Sequence, residues 1–112
     1  MIQFETYEKD DLLIVKPKVK RLDAIVAVSF KDKITEFINQ GKKLILLNLN
    51  DVNFIDSSGL GAIVTILKRL GRDGKLYLCY VSEPVENMFK LTRMDKIFKI
   101  FDTEEQAIQS VK

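Results

Sequence analysis

The segment Lys43-Leu44-Ile45-Leu46-Leu47-Asn48-Leu49 constrains this chain more than any other. An apolar run this continuous has no wet face, so it suits a central strand covered on both sides, as in parallel sheets. The segments around it alternate in kind. Residues from about 2 to 8 and from about 12 to 16 read as two short strands joined by the polar turn Lys9-Asp10-Asp11. That link is too short for a crossover, so the pair is an antiparallel hairpin. Pro17 keeps Lys16 to Arg21 out of regular structure. From Asp23 to about Gln40, the residues Ala24, Ala27, Phe30, Ile34, Phe37 and Ile38 recur at helical steps, with Asp23 placed to cap the start and Gly41 to end it.

Helical spacing returns from Ser57 to Leu70, with Leu60, Ile63, Leu67 and Leu70 on one side. Lys75 to Tyr80 reads as a strand, Pro84 opens a short helix through Leu91, and Ile97 to Phe101 reads as a last strand. Thr103 with Gln106 three residues on makes a capping box for a closing helix. Strands alternating with helices after an initial hairpin predict an α/β fold, residues 1–112 forming a single domain. Its mixed sheet is mostly parallel, with an antiparallel N-terminal edge hairpin and about four helices.

Composition removes most chemistry. The 112 residues include no His, so no imidazole can assist a serine nucleophile or hold a metal. Cys79 is the one cysteine, which rules out an internal disulfide and a thiolate zinc cluster. No cofactor, no metal site and no enzymatic activity are expected. Eighteen Lys plus Arg against 16 Asp plus Glu leave a net charge of +2, which predicts no direct nucleic-acid partner. The opening residues lack a basic, then apolar, leader, and no stretch approaches the ~18 apolar residues of a membrane span. With a lone cysteine in an apolar segment, these features point to a cytoplasmic protein that does not engage membranes.

One stretch carries possible chemistry: Asn53-Phe54-Ile55-Asp56-Ser57-Ser58-Gly59-Leu60-Gly61, between the most apolar strand and a helix. In open α/β sheets, ligands and partners meet the fold beyond the carboxyl ends of strands. A phosphate on Ser57 or Ser58 would sit at a helix N-terminus, where N–H groups are free and the dipole favours anions. Gly59 and Gly61 would let another protein's backbone come close, or would serve helix–strand packing. Asp56 either caps the helix or orients Ser57. Asp23 either caps the first helix or lies near Ser57, because strand ends gather on one side of the sheet. Leu60 is either a partner contact or, by its period with Ile63 and Leu67, a core residue.

Phe54-Ile55-Asp56-Ser57-Ser58-Gly59-Leu60-Gly61 resembles the signature of the STAS domain, and specifically of bacterial anti-sigma-factor antagonists. The resemblance covers nearly the whole chain. Arg21-Leu22-Asp23-Ala24 is similar to the family's loop before its first helix, Leu44 to Leu49 to its central strand, Phe89 to Phe98 to its late helix and turn, and Phe101 to Ala107 to its closing helix. Two positions depart from the pattern: Asn48, where the family often has Asp, and Lys20, where it commonly has Gly. The resemblance implies a switch. The unmodified protein binds a partner that is both anti-sigma factor and ATP-dependent serine kinase, and so frees the sigma factor. Phosphorylation of the first serine, here Ser57, abolishes binding, and a serine phosphatase restores it. Asp23, Asp56, Ser58, Gly59, Leu60 and Gly61 are the candidate partner-binding residues, and the free protein is expected to be a monomer.

Other features fit plainer roles. Lys16, Lys18, Lys20 and Arg21 form the one basic cluster and read as a solvated loop, with no interleaved aromatics to stack bases. Phe30, Phe37, Phe89, Phe98 and Phe101 have core spacing, and Cys79 reads as a small core residue. Asp10-Asp11 lies in a hairpin turn, unlike the acidic pair of a receiver domain. The alternative to the phosphorylation switch is a constitutive STAS scaffold, or a transporter-type or other-pathway signalling module without a kinase cycle.

Overall fold

A computed structural model describes residues 2–111 and places seven strands and four α-helices in the order β1 (Phe4–Lys9), β2 (Leu12–Pro17), β3 (Arg21–Leu22), α1 (Ala27–Asn39), β4 (Leu44–Asn48), β5 (Phe54–Ile55), α2 (Ser57–Leu70), β6 (Lys75–Cys79), α3 (Glu83–Leu91), β7 (Lys99–Phe101) and α4 (Glu104–Ser110). Five strands form one sheet in the order β1-β2-β4-β6-β7, with β1 antiparallel to β2 and every other pairing parallel. This is the expected mixed α/β architecture. The apolar run becomes β4, at the centre of the sheet, with Ile45, Leu46 and Leu47 fully buried. Each large aliphatic side chain removed from water there stabilises the fold by about 1.5–3 kcal/mol.

From β2 to β7 the parallel strands step in one direction across the sheet. Right-handed crossovers then place α1, α2 and α3 on the same face. The main core lies there, joining Leu13, Val15, Ile45, Leu47 and Leu78 of the sheet to Phe30, Ile63, Ile66, Val85 and Phe89 of the helices. Alternation along the strands sends Leu12, Ile14, Leu46 and Cys79 to the other face, where α4 covers them with Ala107 and Ile108. Thr103 caps α4 by accepting from the Gln106 N–H at 3.1 Å, as the capping box predicts. No helix among the described residues is long and apolar enough to cross a membrane.

Three local departures from the sequence reading have physical causes. Pro17 does not exclude the strand but ends it: β2 pairs with β4 only through Val15, so no bond on that side needs the missing N–H. Helix α1 starts at Ala27 rather than Asp23, because residues 23–26 form a turn in which the Asp23 carbonyl accepts from Val26 and Ala27. The third is a separate two-stranded parallel sheet, β3 with β5, in register Arg21↔Phe54 and Leu22↔Ile55. Two residues are too short for any period to reveal.

Candidate functional site

The small β3–β5 sheet is the platform of the site. Its inner side chains, Leu22 and Ile55, are buried in the main core, while Arg21 and Phe54 face outward and stack at 4.0 Å between guanidinium and ring centroid. Backbone bonds close both ends: Asn53 N–H donates to the Lys20 carbonyl at 2.7 Å, and Asp56 N–H to the Leu22 carbonyl at 3.3 Å. Asp23 and Asp56 follow directly on the last register pair, Leu22 and Ile55, and the Asp56 carboxylate reaches across to the turn that Asp23 opens.

Asp56 is the N-cap of α2 and uses both oxygens on backbone donors. Oδ1 accepts from Gly59 N–H at 3.0 Å, and Oδ2 accepts from Ala24 N–H at 3.3 Å. The first bond satisfies an otherwise free helix donor, and the second ties α2 to the turn before α1. Asp23 works within its own turn, with Oδ1 accepting from Ile25 N–H at 3.1 Å and Oδ2 facing Arg21 Nε at 3.4 Å. Of the two roles weighed for each, Asp56 takes the cap, whereas Asp23 caps the turn beside α2 and not α1 itself.

Ser57 and Ser58 are the first two residues of α2 and both are exposed. The macrodipole concentrates positive potential there. Gly61, one turn on, is exposed with nothing within 4 Å of where a Cβ would stand. Gly59 and Leu60 leave the partner-facing set. A Cβ on Gly59 would lie 2.0 Å from the Leu22 carbonyl oxygen, so the bare backbone is needed for α2 to approach β3 inside this protein. Leu60 is 7% exposed and packs in the main core with Ile63.

The structure adds two residues that the sequence reading missed. Ile25 is 89% exposed and Val28 62%, and with Ile2 and Phe4 they line an open groove of about 640 Å³ beside Asp23. Their signal was present in the sequence. Positions 25 and 28 are apolar yet lie off the stripe of Ala27, Phe30 and Ile34, which already accounts for the buried face.

The basic cluster is largely neutralised within the fold. Lys18 Nζ lies 2.9 Å from Asp51, which draws that carboxyl below its usual range and raises the lysine, and Lys16 stands 3.9 Å from the same carboxylate. On the α4 face, Asn48 is 4% exposed: its Nδ2 donates to Glu104 at 2.5 Å, its Oδ1 accepts from Asn50 N–H at 2.9 Å, and Tyr7 OH donates to the other Glu104 oxygen. An Asp at this position would press a second carboxylate against Glu104, which gives a physical reason for Asn here. Bonding to Glu104 pushes the Tyr7 hydroxyl up to about 12. Burial, with the nearby Glu104 charge, raises the Cys79 thiol to about 12.

A parallel sheet closed by a hairpin, with a capped and exposed helix start on a small second sheet, defines the class, and residues 3–107 match the STAS domain family. The chain belongs to that family. Within it, the chain is 41% identical over 105 residues to a protein provisionally described as an anti-sigma factor antagonist of Thermotoga maritima, covering 92% of each. The crystal structure of a Thermotoga maritima protein of that description matches with a TM-score of 0.90 at 40% identity, over 96% of this chain and 93% of that one. An anti-sigma-B factor antagonist of Staphylococcus aureus is 29% identical over 105 residues, 93% of this chain and 96% of the relative. The anti-sigma factor antagonist SpoIIAA matches in its unphosphorylated form with a TM-score of 0.74 at 26% identity, over 99% and 97% of the two chains. Its phosphorylated form, from Bacillus, matches with a TM-score of 0.73 at 24% identity, over the full length of both.

Proposed function

We propose that this protein is an anti-sigma factor antagonist switched by phosphorylation at Ser57. The observation that carries the reading is that Ser57 is exposed at the first position of α2, on a helix end pinned from below by Asp56 and Gly59. The unmodified protein docks an anti-sigma factor on the surface formed by Ser57, Ser58, Gly61 and the Asp23 turn, with Ile25 and Val28 as its apolar flank. That capture frees the sigma factor.

The same partner acts as a serine kinase. The γ-phosphoryl group of ATP passes to Ser57 Oγ: a new P–O bond forms, the bond from the γ-phosphorus to its bridging oxygen breaks, ADP leaves, and a kinase base takes the hydroxyl proton. The product places nearly two negative charges at the interface centre, beside the carboxylates of Asp23 and Asp56. Burying that group without a matching cation costs several kcal/mol, against about 8 kcal/mol for a micromolar complex. The complex separates, and a phosphatase returns the serine by hydrolysing the ester.

The test is to incubate the protein with its anti-sigma factor and ATP and to locate phosphate by mass spectrometry. Modification is expected at Ser57. Ser57→Asp should fold normally and fail to bind, and Ser57→Ala should bind and never be released by ATP. Unchanged capture by Ser57→Asp, or phosphate found elsewhere, would overturn the reading.

A further inference from the structure

We propose that the outer edge of β1 pairs with the same edge of a second copy of this chain, antiparallel about a two-fold axis at Tyr7. The inference is independent of the chemistry at Ser57. The main sheet ends in β1 on one side and β7 on the other. Strand β7 has three residues, too few to template a partner, whereas β1 has six, with no Gly, Pro or bulge along its register with β2. From Glu5 to Lys9 every residue of β1 is exposed. A regular edge of that length offers unpaired N–H and C=O groups to another strand.

The hairpin fixes which groups face outward. Lys18 N–H donates to the Gln3 carbonyl at 2.8 Å, and these two stand opposite each other, one step beyond the pair Phe4↔Pro17. Bonded and non-bonded pairs alternate along an antiparallel ladder. Gln3, Glu5, Tyr7 and Lys9 therefore turn their backbone groups to β2, while Phe4, Thr6 and Glu8 turn theirs to the open edge. Pro17 agrees with this phase, since it stands opposite Phe4, where the hairpin needs no N–H. Two such edges bond only when outward residues face outward residues, so the two-fold axis must pass through a residue and not between two. An axis at Glu5 sets Glu5 against itself, which like charge disfavours. An axis at Phe4 runs past the start of β1, and one at Thr6 sets Glu8 against Phe4 and leaves Glu5 facing Tyr7. An axis at Tyr7 places Glu5 opposite Lys9 of the copy, twice, with the two Tyr7 side chains between the pairs. Thr6 and Glu8 then exchange four backbone hydrogen bonds across the axis.

Both charges are available for this pairing. Lys9 enters none of the ion pairs among the described residues. Glu5 is 3.8 Å from Lys18, which Asp51 holds more closely at 2.9 Å. Space is open past the edge on the helix side, where Phe4 and α1 border the groove of about 640 Å³. Charges on an edge blunt it toward apolar strands, and here they leave the strand's own copy as the complement that fits. The interface is small, so the monomer expected from the sequence prevails in dilute solution and the dimer in concentrated solution.

The test is sedimentation equilibrium of the full chain from about 10 µM to about 1 mM, the range in which so small an interface forms. The parent protein should show a monomer–dimer equilibrium. Glu5→Lys and Lys9→Glu, each alone, set like charges opposite each other at two places and should weaken association at least about tenfold. Mixed together, with one of them fluorescently labelled, they should form a heterodimer of near-parental affinity, because each supplies the charge the other lacks. Thr6→Pro removes an outward N–H and leaves the β1–β2 ladder intact, so it should be monomeric and folded by circular dichroism. A parent that stays monomeric throughout, single charge variants that associate as well as the parent, or a mixture no tighter than its components would each overturn the proposal. If Thr6→Pro fails to fold, the charge variants, at exposed positions, decide alone.

Discussion

Glycine-to-alanine substitution at positions 59 and 61 should have opposite signs, although the two sites lie in one turn of one helix. At Gly61 the new methyl meets nothing within 4 Å, so the substitution acts through chain entropy and helix propensity alone. It should stabilise by about 0.5–1 kcal/mol. At Gly59 the same methyl would stand 2.0 Å from the Leu22 carbonyl oxygen, 2.9 Å from its carbon and 3.0 Å from Ile55 Cγ1. The first two are backbone atoms of a strand held in the core, and that same carbonyl accepts the Asp56 N–H. Relief requires α2 to back away from β3. That motion breaks the Asp56 cap on Gly59, worth about 1 kcal/mol, and weakens the Asp56–Ala24 and Asp56–Leu22 bonds, worth about 1 kcal/mol each. Against this loss of about 3 kcal/mol stands a propensity gain near 1, leaving Gly59→Ala destabilised by about 2 kcal/mol.

Urea titration followed by circular dichroism reads both variants. For a chain of this size each kcal/mol corresponds to roughly 4 °C in Tm, so Gly59→Ala should melt about 8 °C low and Gly61→Ala a few degrees high. The unfolding slope should stay constant in both, since neither variant changes the surface exposed on unfolding by much. A neutral or stabilised Gly59→Ala would refute the close approach of α2 to β3, and with it the account of how Ser57 is held. Gly61→Ala carries a second readout: if a partner comes up to the bare backbone there, the more stable variant should be the poorer binder of the anti-sigma factor.

Three further outcomes follow from the same contacts. Asn48→Asp should lose about 1–3 kcal/mol near neutral pH, because it sets a second buried carboxylate against Glu104; the pair's raised pKa makes the penalty shrink on acidification, and urea midpoints at pH 5 and 7 check the sign. Cys79 should resist a thiol-specific chromogenic reagent at pH 8 until denaturant is added. Because its thiol titrates at about 12 in the fold against 9.0 unfolded, stability should be full below pH 9 and fall as pH rises from there toward 12. Ile25→Ser should leave Tm within a degree or two, given its exposure, but weaken binding to the anti-sigma factor about tenfold in calorimetric titration, the equivalent of 1.4 kcal/mol.

The large elements were legible because their signals are long. The apolar runs Leu12 to Val15 and Leu44 to Leu47 declare β2 and β4, and the stripe of Ala27, Phe30 and Ile34 declares α1. Asp56 as N-cap of α2 and Thr103 as N-cap of α4 were also readable, since a cap is a local bond between residues three apart. What the chain hid was pairing over distance. Arg21-Leu22 and Phe54-Ile55 have no period of their own and become strands only because each finds the other across more than thirty residues. The same blindness misplaced the start of α1: Asp23 is a good cap by type, but the Ala24 N–H is drawn to Asp56 and the chain turns before it can coil. Gly59 looked like an opening for a partner because its closest neighbour, Leu22, is remote in sequence.

These hidden contacts also bear on how the proposed switch at Ser57 would work. A conformational switch would have to move the start of α2, and that start is fixed by the Asp56 cap, by the tie to Ala24, and by a glycine with no room to shift against Leu22. Phosphate on Ser57 supplies charge and acceptor oxygens, yet the bonds it would need to break lie beneath the helix while the serine lies on top. Charge added there would be met by what can move: counter-ions, water and exposed side chains. If phosphate is placed on Ser57 as proposed, rigidity below and charge above predict that binding by the modified protein recovers partially as ionic strength rises, whereas a conformational mechanism would be nearly indifferent to salt.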